Sequence, residues 1–186
     1  MQERIQANPD IFEKIKIINV FNGLTITPIN YNLIDLESEI YLLNSYDSDV
    51  KKYLPNAFVE NLKEAKGKLL EYLKKTTFFD SILYCIRMEN IPIGYISLNS
   101  PLSNTGLNNW SIDFWINKDY RKKGIMIASL HKTILHMKSM DILGVLMSIS
   151  HDNYPSISLA QKLGFTIINN DRKNNGGLYA LRLQER

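Results

Sequence analysis

WINKDYRKKGIMI, residues 115–127, joins the end of a predicted strand to the start of a predicted helix through a basic loop that contains one glycine. A helix start presents unpaired backbone N–H groups and the positive end of the helix dipole. Gly124 lets a ligand approach the backbone closely, and Arg121, Lys122 and Lys123 add charges suited to a pyrophosphate. The stretch predicts an anion-binding loop, although three basic residues alone more often mark a solvated surface loop.

The segments on either side of this stretch predict an α/β fold. Before it, alternating apolar residues and turn residues indicate an antiparallel meander of three strands: Ser81–Met88, Pro92–Leu98 and Trp110–Ile116. After it, apolar spacing indicates a helix from about Gly124 to Met140. The remaining predicted elements are a strand, a short helix that ends at Gly164, and two closing strands: Leu143–Ser150, residues 154–163, Phe165–Ile168 and Leu178–Leu183. This order predicts helices layered against a sheet.

The first eighty residues predict two helices after an ambiguous start. Apolar residues recur at helical spacing in two groups: Leu33, Leu36, Ile40 and Leu43, then Phe58, Leu62, Leu69 and Leu73. Pro55-Asn56 offers a cap for the second helix. Residues 1–20 form an N-terminal extension with two open interpretations. Either Asn8-Pro9 begins a short helix, or residues 15–20 and 24–27 pair as strands across the turn dipeptide Asn22-Gly23.

Length and composition predict one cytoplasmic domain that spans residues 1–186. With 45% hydrophobic residues the chain has enough apolar material for one core, and it is short for two domains. A net charge of +3 is too small to indicate nucleic-acid binding. Neither a secretory leader nor a membrane-spanning segment is evident. Cys85 lies in an apolar run, which indicates a buried inert thiol, and the three scattered histidines predict no metal site.

A second segment completes a pair of motifs that occur in one known family. RKKGIM, residues 121–126, is similar to the Arg/Gln-x-x-Gly-x-Gly/Ala phosphate loop of the GNAT superfamily of N-acetyltransferases. NYPS at 153–156, followed by KLGF at 162–165, resembles the second motif of that family. The resemblance covers about residues 24–183. Asn-x-x-Ser rather than Asn-x-x-Ala, with Phe114-Trp115-Ile116 before the loop, resembles the RimJ/RimL-type branch, which is associated with N-terminal acetylation of ribosomal proteins and includes small-amine acetyltransferases.

The resemblance implies a GNAT-like fold, with a mixed, mostly antiparallel sheet of about six to seven strands flanked by helices. The strands at 110–116 and 143–150 would part in a V-shaped splay that admits the thioester of acetyl-CoA. The implied activity is transfer of an acetyl group from acetyl-CoA, the cosubstrate, to a primary amine by direct attack in a ternary complex. The amine would belong to a protein N-terminus or a small molecule. We expect a monomer or homodimer, with no metal, no membrane partner and no nucleic-acid partner.

The resemblance also implies which residues bind acetyl-CoA. Backbone groups of Trp115 and Ile116 would pair with the pantetheine arm, the N–H groups of residues 121–127 would hold the pyrophosphate, and Lys162 would reach a CoA phosphate. The full implied set is Trp115, Ile116, Arg121, Lys122, Lys123, Gly124, Ile125, Met126, Ile127, Asn153, Ser156 and Lys162. Met126 departs from the family pattern, where Gly or Ala is usual, and narrows the loop unless its side chain points into the core.

Acetyl transfer to an amine needs a base for the amine and an acid for the departing thiolate. Asp113, on the strand that would line the slot, is the candidate base, and the alternative is a surface carboxylate on the other strand face. Ser156 is the candidate acid because it occupies the Asn-x-x-Ser position, and the alternative is a helix-capping hydroxyl. The tyrosine that many GNAT enzymes use as the acid would fall at Ala160, so that mechanism is not available. His151, in a loop beside the slot, is a weaker candidate for substrate contact.

Two other functions stay open at this point. The first is a GNAT-like domain that binds acyl-CoA without catalysis, with which Ala160 and Met126 are consistent. The second is a basic module that binds RNA or the ribosome, although outer faces of amphipathic helices are the preferred interpretation of its lysines. These lysines are Lys51, Lys52, Lys63, Lys66, Lys68, Lys74 and Lys75.

Overall fold

The computed structural model describes residues 15–103, 109–171 and 175–183. Its strands are β1 Ile18–Phe21, β2 Leu24–Pro28, β3 Ser81–Met88, β4 Ile91–Asn99, β5 Trp110–Ile116, β6 Gly144–Ser150, β7 Thr166–Asp171 and β8 Gly176–Arg182. Its helices are α1 Ile34–Ser45, α2 Ser48–Tyr53, α3 Leu62–Thr77, α4 Ile125–Ser139 and α5 Tyr154–Lys162, with 3-10 turns at Tyr31–Leu33 and Lys118–Tyr120. The strands form one 8-stranded sheet in the order β1-β2-β3-β4-β5-β6-β8-β7. The predicted α/β fold is therefore confirmed, with more strands than the six to seven expected.

The additional strand pair lies at the N-terminal end. Ile18 in β1 is opposite Ile26 in β2, so the two strands form an antiparallel hairpin across Asn22-Gly23. Gly23 has a φ of +77°, in the region that glycine adopts without strain. The strand interpretation of this segment is thus correct. Asn8-Pro9 lies outside the described residues.

Helices cover both faces of the sheet because its strands carry apolar side chains on both sides. On one face, Leu130 and Met137 of α4 join Ile96 and Ile112 of the sheet in one core. On the other face, Leu69 of α3 and Tyr41 of α1 pack against the sheet; the second core also contains Leu83, Cys85, Tyr95 and Trp115. Successive residues of β5 therefore serve different cores, as the twofold alternation of a strand requires.

The apolar residues that predicted α1 lie on its solvent side. Leu33, Leu36 and Leu43 are 47%, 55% and 72% exposed. The buried side instead carries polar groups such as Glu37, which forms an ion pair with Arg87 of β3. The helix was predicted correctly, but the apolar stripe does not mark the face that packs against the sheet.

The start of α3 differs from the sequence prediction. Asn61, rather than Pro55-Asn56, caps the helix, because its side chain accepts a hydrogen bond from the Glu64 N–H at 3.0 Å. The Glu64 carboxylate in turn accepts from the backbone N–H of Glu60 at 2.9 Å, much as in a capping box. Phe58 precedes this cap and is not part of the helix.

The predicted splay lies between β5 and β6. These parallel strands pair only at Trp110 with Val145 and at Ser111 with Leu146. Beyond that point β5 stays paired with β4 and β6 stays paired with β8, each to its end. The two halves of the sheet therefore diverge and leave a V-shaped slot between residues 112–116 and 147–150.

Candidate active site

The slot between β5 and β6 is a cavity of about 660 Å³. Its walls are residues 112–116 of β5 and 147–150 of β6, and the start of α4 closes one end. Of the residues predicted to bind acetyl-CoA or to catalyse transfer, Lys123 is the one that is not part of the lining, and its Nζ lies 5.3 Å from the centre of the Tyr120 ring. The residues that line the cavity as predicted are Asp113, Trp115, Ile116, Arg121, Lys122, Gly124, Ile125, Met126, Ile127, Asn153, Ser156 and Lys162.

The start of α4 has the geometry of an anion site. Gly124 is the N-cap, with a φ of +76° and no side chain to occupy the N–H groups that follow. The first helical hydrogen bond runs from the Ala128 N–H to the Gly124 carbonyl at 3.1 Å, so the N–H groups of residues 125–127 precede the helical ladder. A Cβ built on Gly124 would meet nothing within 4 Å, which leaves this approach open.

Arg121 is engaged within the protein rather than free for a phosphate. Its guanidinium lies 2.6 Å from Asp49 Oδ2 and 3.0 Å from Asp47 Oδ1. Its Nε donates to the Ile116 carbonyl at 3.2 Å, and its backbone N–H donates to the Lys118 carbonyl. Arg121 therefore connects the phosphate loop to the start of α2, and Lys122 and Lys162 are the predicted lysines that line the cavity.

The Met126 side chain points into the core. It is 8% exposed and belongs to the apolar cluster between α4 and the sheet. Met126 is therefore packed in the core, although it also borders the cavity.

The β5 backbone directs some of its hydrogen-bonding groups toward the slot, where the Ile116 carbonyl accepts from Arg121. The Asn117 N–H donates to the Ile93 carbonyl of β4 at 2.8 Å. Because hydrogen-bonded pairs alternate along an antiparallel ladder, Trp115 also pairs with β4, whereas Phe114 and Ile116 direct their backbone groups toward the slot. The sequence analysis named Trp115 and Ile116 for this role, so the alternation replaces Trp115 with Phe114.

Asp113 lies on the same β5 face as Trp115 and lines the slot, so the surface-carboxylate alternative does not apply. Its Oδ2 accepts a hydrogen bond from Asn99 Nδ2 of β4 at 2.9 Å. Burial raises the pKa of the Asp113 carboxyl, and the hydrogen bond from Asn99 opposes that rise. A partly desolvated carboxylate with one constrained oxygen is a suitable proton acceptor in a slot of this kind.

Ser156 does not cap α5. The cap is Asn153, whose Oδ1 accepts from the Ser156 backbone N–H at 3.3 Å. The Ser156 hydroxyl is therefore not needed to satisfy the helix end, and the residue lines the cavity. Ala160, in the position of the tyrosine that other GNAT enzymes use, is fully buried, and Tyr154 is 73% exposed.

Two further predictions concern residues outside the slot. Cys85 is fully buried, and burial raises the pKa of its thiol to about 12, as expected for an inert cysteine. His151 is not among the residues that line the cavity. Within residues 15–103, 109–171 and 175–183, no cluster of three or more His, Cys, Asp or Glu side chains has the geometry to hold a metal ion.

The sequence analysis missed α2, whose residues Asp49, Val50 and Tyr53 line the slot together with Leu54, which follows the helix. Asp47 caps this helix by accepting from the Asp49 and Val50 N–H groups at 2.8 and 3.3 Å. At its other end, Lys52 Nζ lies 2.7 Å from Asp152 Oδ2 in the loop before α5. The acidic cap at Asp47 was a readable signal for a helix, but nothing local indicated that the helix crosses the slot.

Residues 24–166 match the family model described as acetyltransferase (GNAT) domain. The chain belongs to the GNAT acetyltransferase family. A GNAT enzyme of this kind transfers an acetyl group from acetyl-CoA to an amine, and the phosphate loop, the splay and the open β5 edge all fit that cosubstrate. No curated protein sequence matches the chain at a significant level.

Solved structures share this GNAT fold at low sequence identity. The chain is similar to the CoA complex of RimL, a ribosomal L7/L12 alpha-N-protein acetyltransferase, with a TM-score of 0.75, 18% identity and coverage of 90% of this chain and 98% of the other. It is similar to the microcin C7 self immunity acetyltransferase MccE in complex with acetyl-CoA and AMP, with a TM-score of 0.71, 18% identity and coverage of 88% of this chain and 94% of the other. It is also similar to Mycobacterium smegmatis RimJ in complex with CoA-disulfide, with a TM-score of 0.71, 12% identity and coverage of 90% of this chain and 88% of the other. These neighbours show that the chain shares the fold of these enzymes.

The surface lysines of this GNAT domain carry acidic partners. Five of those named for a nucleic-acid module form ion pairs with nearby carboxylates: Lys51–Glu60, Lys52–Asp152, Lys66–Asp35, Lys68–Glu71 and Lys75–Glu71. Such pairing supports the interpretation of a solvated helix surface. Across the part of the chain that the structure describes, no helix combines the length and the apolar character needed to cross a membrane.

Proposed function

We propose that this GNAT domain acetylates a primary amine with Asp113 as the proton acceptor and Ser156 as the proton donor. The observation that carries the proposal is that both residues line the one slot that the β5–β6 splay opens. The amine nitrogen attacks the thioester carbonyl, the C–S bond breaks, and the product is an amide and a thiol. Asp113 accepts the amine proton, directly or through water, and the Ser156 hydroxyl passes a proton to the departing thiolate while it takes one up from water.

We propose that acetyl-CoA lies along β5, with its diphosphate at the start of α4. The backbone groups of Phe114 and the N–H group of Ile116 offer an edge for the pantetheine amides, as an added strand would use, while the Ile116 carbonyl already accepts from Arg121. The N–H groups of residues 125–127 and the Lys122 ammonium fit the diphosphate. Lys162, which is exposed at the rim of the cavity, is available to a CoA phosphate.

The acceptor is an amine that reaches the slot beside α2, and two classes fit the comparisons. RimL is an acetyltransferase of the ribosomal L7/L12 protein at its alpha-amino group, and MccE is a self immunity acetyltransferase for microcin C7. We propose that the acceptor is one of two kinds, a protein N-terminus or a small-molecule amine. A cytoplasmic location, a single domain over residues 1–186, and a monomeric or homodimeric state all stay predictions, as does the lack of a nucleic-acid partner.

The cosubstrate site is tested by calorimetry of acetyl-CoA with the wild type, Gly124→Glu and Gly124→Ala. The alanine variant is the matched control, because its Cβ meets no neighbour and its cost is confined to the positive φ. We expect micromolar binding by the wild type, weaker but measurable binding by Gly124→Ala, and no binding by Gly124→Glu, whose carboxylate faces the diphosphate. A folded wild type that does not bind acetyl-CoA contradicts the proposal.

Catalysis is tested by thiol release over a panel of N-terminal peptides and small amines. Turnover of one class identifies the acceptor. Binding of acetyl-CoA without turnover of any amine supports instead the non-catalytic acyl-CoA-binding domain, for which the alanine at position 160 is the motivating observation.

A further inference from the structure

A chain of polar side chains extends from Asp113 into the interface between the sheet and α3. Asn99 Nδ2 donates to Asp113 Oδ2 at 2.9 Å, and Ser97 Oγ donates to Asn99 Oδ1 at 3.1 Å. Tyr72, from α3, lies near this chain, because, besides burial, Asp113 raises and Ser97 lowers the pKa of its hydroxyl. Asn99 is 8% exposed and Ser97 is fully buried, so this chain lies behind the slot and away from solvent.

The direction of donation along the chain is determined at Asn99. Its amide nitrogen donates to the carboxylate, so its carbonyl oxygen is the acceptor for Ser97. The single hydroxyl proton of Ser97 is then committed to Asn99. Ser97 and Asn99 therefore both donate toward Asp113.

We infer that Asn99 is a positioning residue for acetyl transfer, which with Ser97 behind it holds Asp113 ionised and keeps its second oxygen free for the acceptor amine. The inference rests on the proposed role of Asp113 as the base. Within the described residues, Asp113 Oδ1 makes no hydrogen bond, and the residue lines the cavity. A base of this kind needs one oxygen fixed and one oxygen available.

Because Asp113 is buried, its ionised form depends on the hydrogen bond that Asn99 donates. Burial favours the neutral carboxyl, and a donor to the ionised form offsets that effect. Burial and the nearby charge of Asp113 raise the pKa of Tyr72 to about 12, so Tyr72 keeps its proton at neutral pH. The other charged side chains around the cavity are Asp49 from α2, Arg121 and Lys122 from the phosphate loop, and Lys162 from α5.

The test compares Asn99→Leu with Asn44→Leu. Asn44 is the matched control because it is also a buried amide that donates to β4, at the Pro92 carbonyl at 3.1 Å, but it lies outside the slot. The primary measurement is the pKa of the Asp113 carboxyl by ¹³C NMR titration, with Asp113→Asn as the assignment control. We expect Asn99→Leu to raise this pKa by about one unit and Asn44→Leu to leave it unchanged.

Kinetics and binding separate this inference from the proposed function. We expect the acid limb of the kcat/KM profile of Asn99→Leu to shift to higher pH together with the NMR pKa. At a pH below that limb, kcat/KM should therefore fall about tenfold, while the Kd for acetyl-CoA stays unchanged. An unmoved Asp113 pKa and acid limb in a folded Asn99→Leu overturn the inference. If the wild type turns over no amine, the proposed function fails, and the titration alone still decides whether Asn99 controls Asp113.

Ser97→Ala covers the case in which Asn99→Leu does not fold. This variant keeps the Asn99 amide but removes the Ser97 hydroxyl that donates to it. Because serine is a small side chain, its replacement by alanine changes the packing little. We expect a smaller rise of the Asp113 pKa in the same direction. No rise in folded Ser97→Ala, under conditions where the wild-type titration is resolved, counts against the inference.

Discussion

Arg121 Nη1 lies 2.6 Å from Asp49 Oδ2, so a side chain of the phosphate loop is tied to a helix that begins more than seventy positions earlier. The same guanidinium contacts Asp47 Oδ1 at 3.0 Å, and Asp47 is the cap of that helix, α2. Lys52 and Asp152 join the other end of α2 to the loop before α5. α2 is therefore fastened to both sides of the splay, and its position depends on the phosphate loop.

We expect Asp47→Ala to destabilise the protein more than Asp49→Ala. Asp47 is a half-buried cap that bonds two N–H groups, and cap loss costs about 1–2 kcal/mol. Asp49 is 59% exposed, and an exposed ion pair contributes about 1 kcal/mol or less. Denaturant unfolding at pH 7 measures both values, and equal losses would contradict this assignment. Asp47→Ala should also raise the KM for acetyl-CoA, because Arg121 loses a restraint.

The difference in stability between the wild type and Asp47→Ala should depend on pH. Burial opposes ionisation of Asp47, but Arg121 and the backbone N–H groups outweigh it and lower the pKa of this carboxyl. A carboxyl with a lowered pKa in the folded state stabilises the protein above its unfolded pKa, near 4, and loses that effect as the pH falls through the folded value. The difference between wild type and Asp47→Ala should therefore shrink below about pH 4.

Met126→Ala should lower stability without improving acetyl-CoA binding. The side chain is buried between α4 and the sheet, and Met→Ala in a core costs about 2–5 kcal/mol. Met137→Ala, at a fully buried position of the same helix away from the loop, is the matched control. We expect similar losses of unfolding free energy and an unchanged Kd for both variants. A tighter Kd in Met126→Ala alone would mean that Met126 does narrow the phosphate site.

The elements near the slot were predictable because each carries its own local signal. β3 and β5 have the bounds that alternation and turn residues predicted, and α4 begins one residue after Gly124. Motif spacing then located the loop before α4 and the segment from Asn153 to Ser156, both of which line the slot. Contacts between distant segments could not be predicted in this way. Asn99, which holds Asp113 from the neighbouring strand, carries no motif of its own.

The side of α1 that packs against the sheet could not be predicted from the apolar residues. Polar residues of this helix are buried because they find partners there, whereas a helix usually buries its apolar side. Leu36 and Leu43 satisfy helical spacing, yet they are exposed, while Glu37 is 1% exposed and paired with Arg87. Periodicity reports only the spacing of apolar residues. It does not show that Arg87, on β3, will form an ion pair with Glu37 and so allow the polar face of α1 to be buried.

Arg87→Met should destabilise the protein strongly at pH 7. It leaves Glu37 buried without its cation, and breaking a buried ion pair costs about 3–5 kcal/mol. Burial already raises the pKa of Glu37 while Arg87 lowers it, so removing Arg87 raises the pKa further. The loss should therefore be smaller at pH 5 than at pH 7, because a protonated Glu37 carries no charge. Glu37→Gln combined with Arg87→Met is the control, and it should recover part of the lost stability.

Ser156→Ala should lower kcat with little change in the KM for acetyl-CoA. The hydroxyl is not used to cap α5, so its removal leaves the helix start intact. General-acid catalysis typically contributes about 10²–10⁴-fold. Ser139→Ala, at the far end of α4, is the control for serine removal. An unchanged turnover number in Ser156→Ala would mean that water protonates the thiolate.

Asp113→Asn should be less active but more stable than the wild type at pH 7. Burial raises the folded-state pKa of Asp113, so the unfolded chain releases this proton at a lower pH than the folded chain does. The wild type therefore loses stability as the pH rises from about 4 through the raised pKa. The Asp113→Asn substitution removes that loss, and the amide oxygen it introduces can still accept the hydrogen bond from Asn99.

Thermal unfolding of Asp113→Asn and the wild type at pH 4 and pH 7 measures the effect, with Asp35→Asn, an exposed carboxylate, as the control. One kcal/mol corresponds to about 2–4 °C in Tm for a chain of this size. A Tm gain of Asp113→Asn at pH 7 that vanishes near pH 4, together with activity that partly recovers at high pH, is the result expected of a buried base. A lower Tm at pH 7 would instead mean that the Asp113 carboxylate stabilises the fold, and its assignment to proton transfer would lose this support.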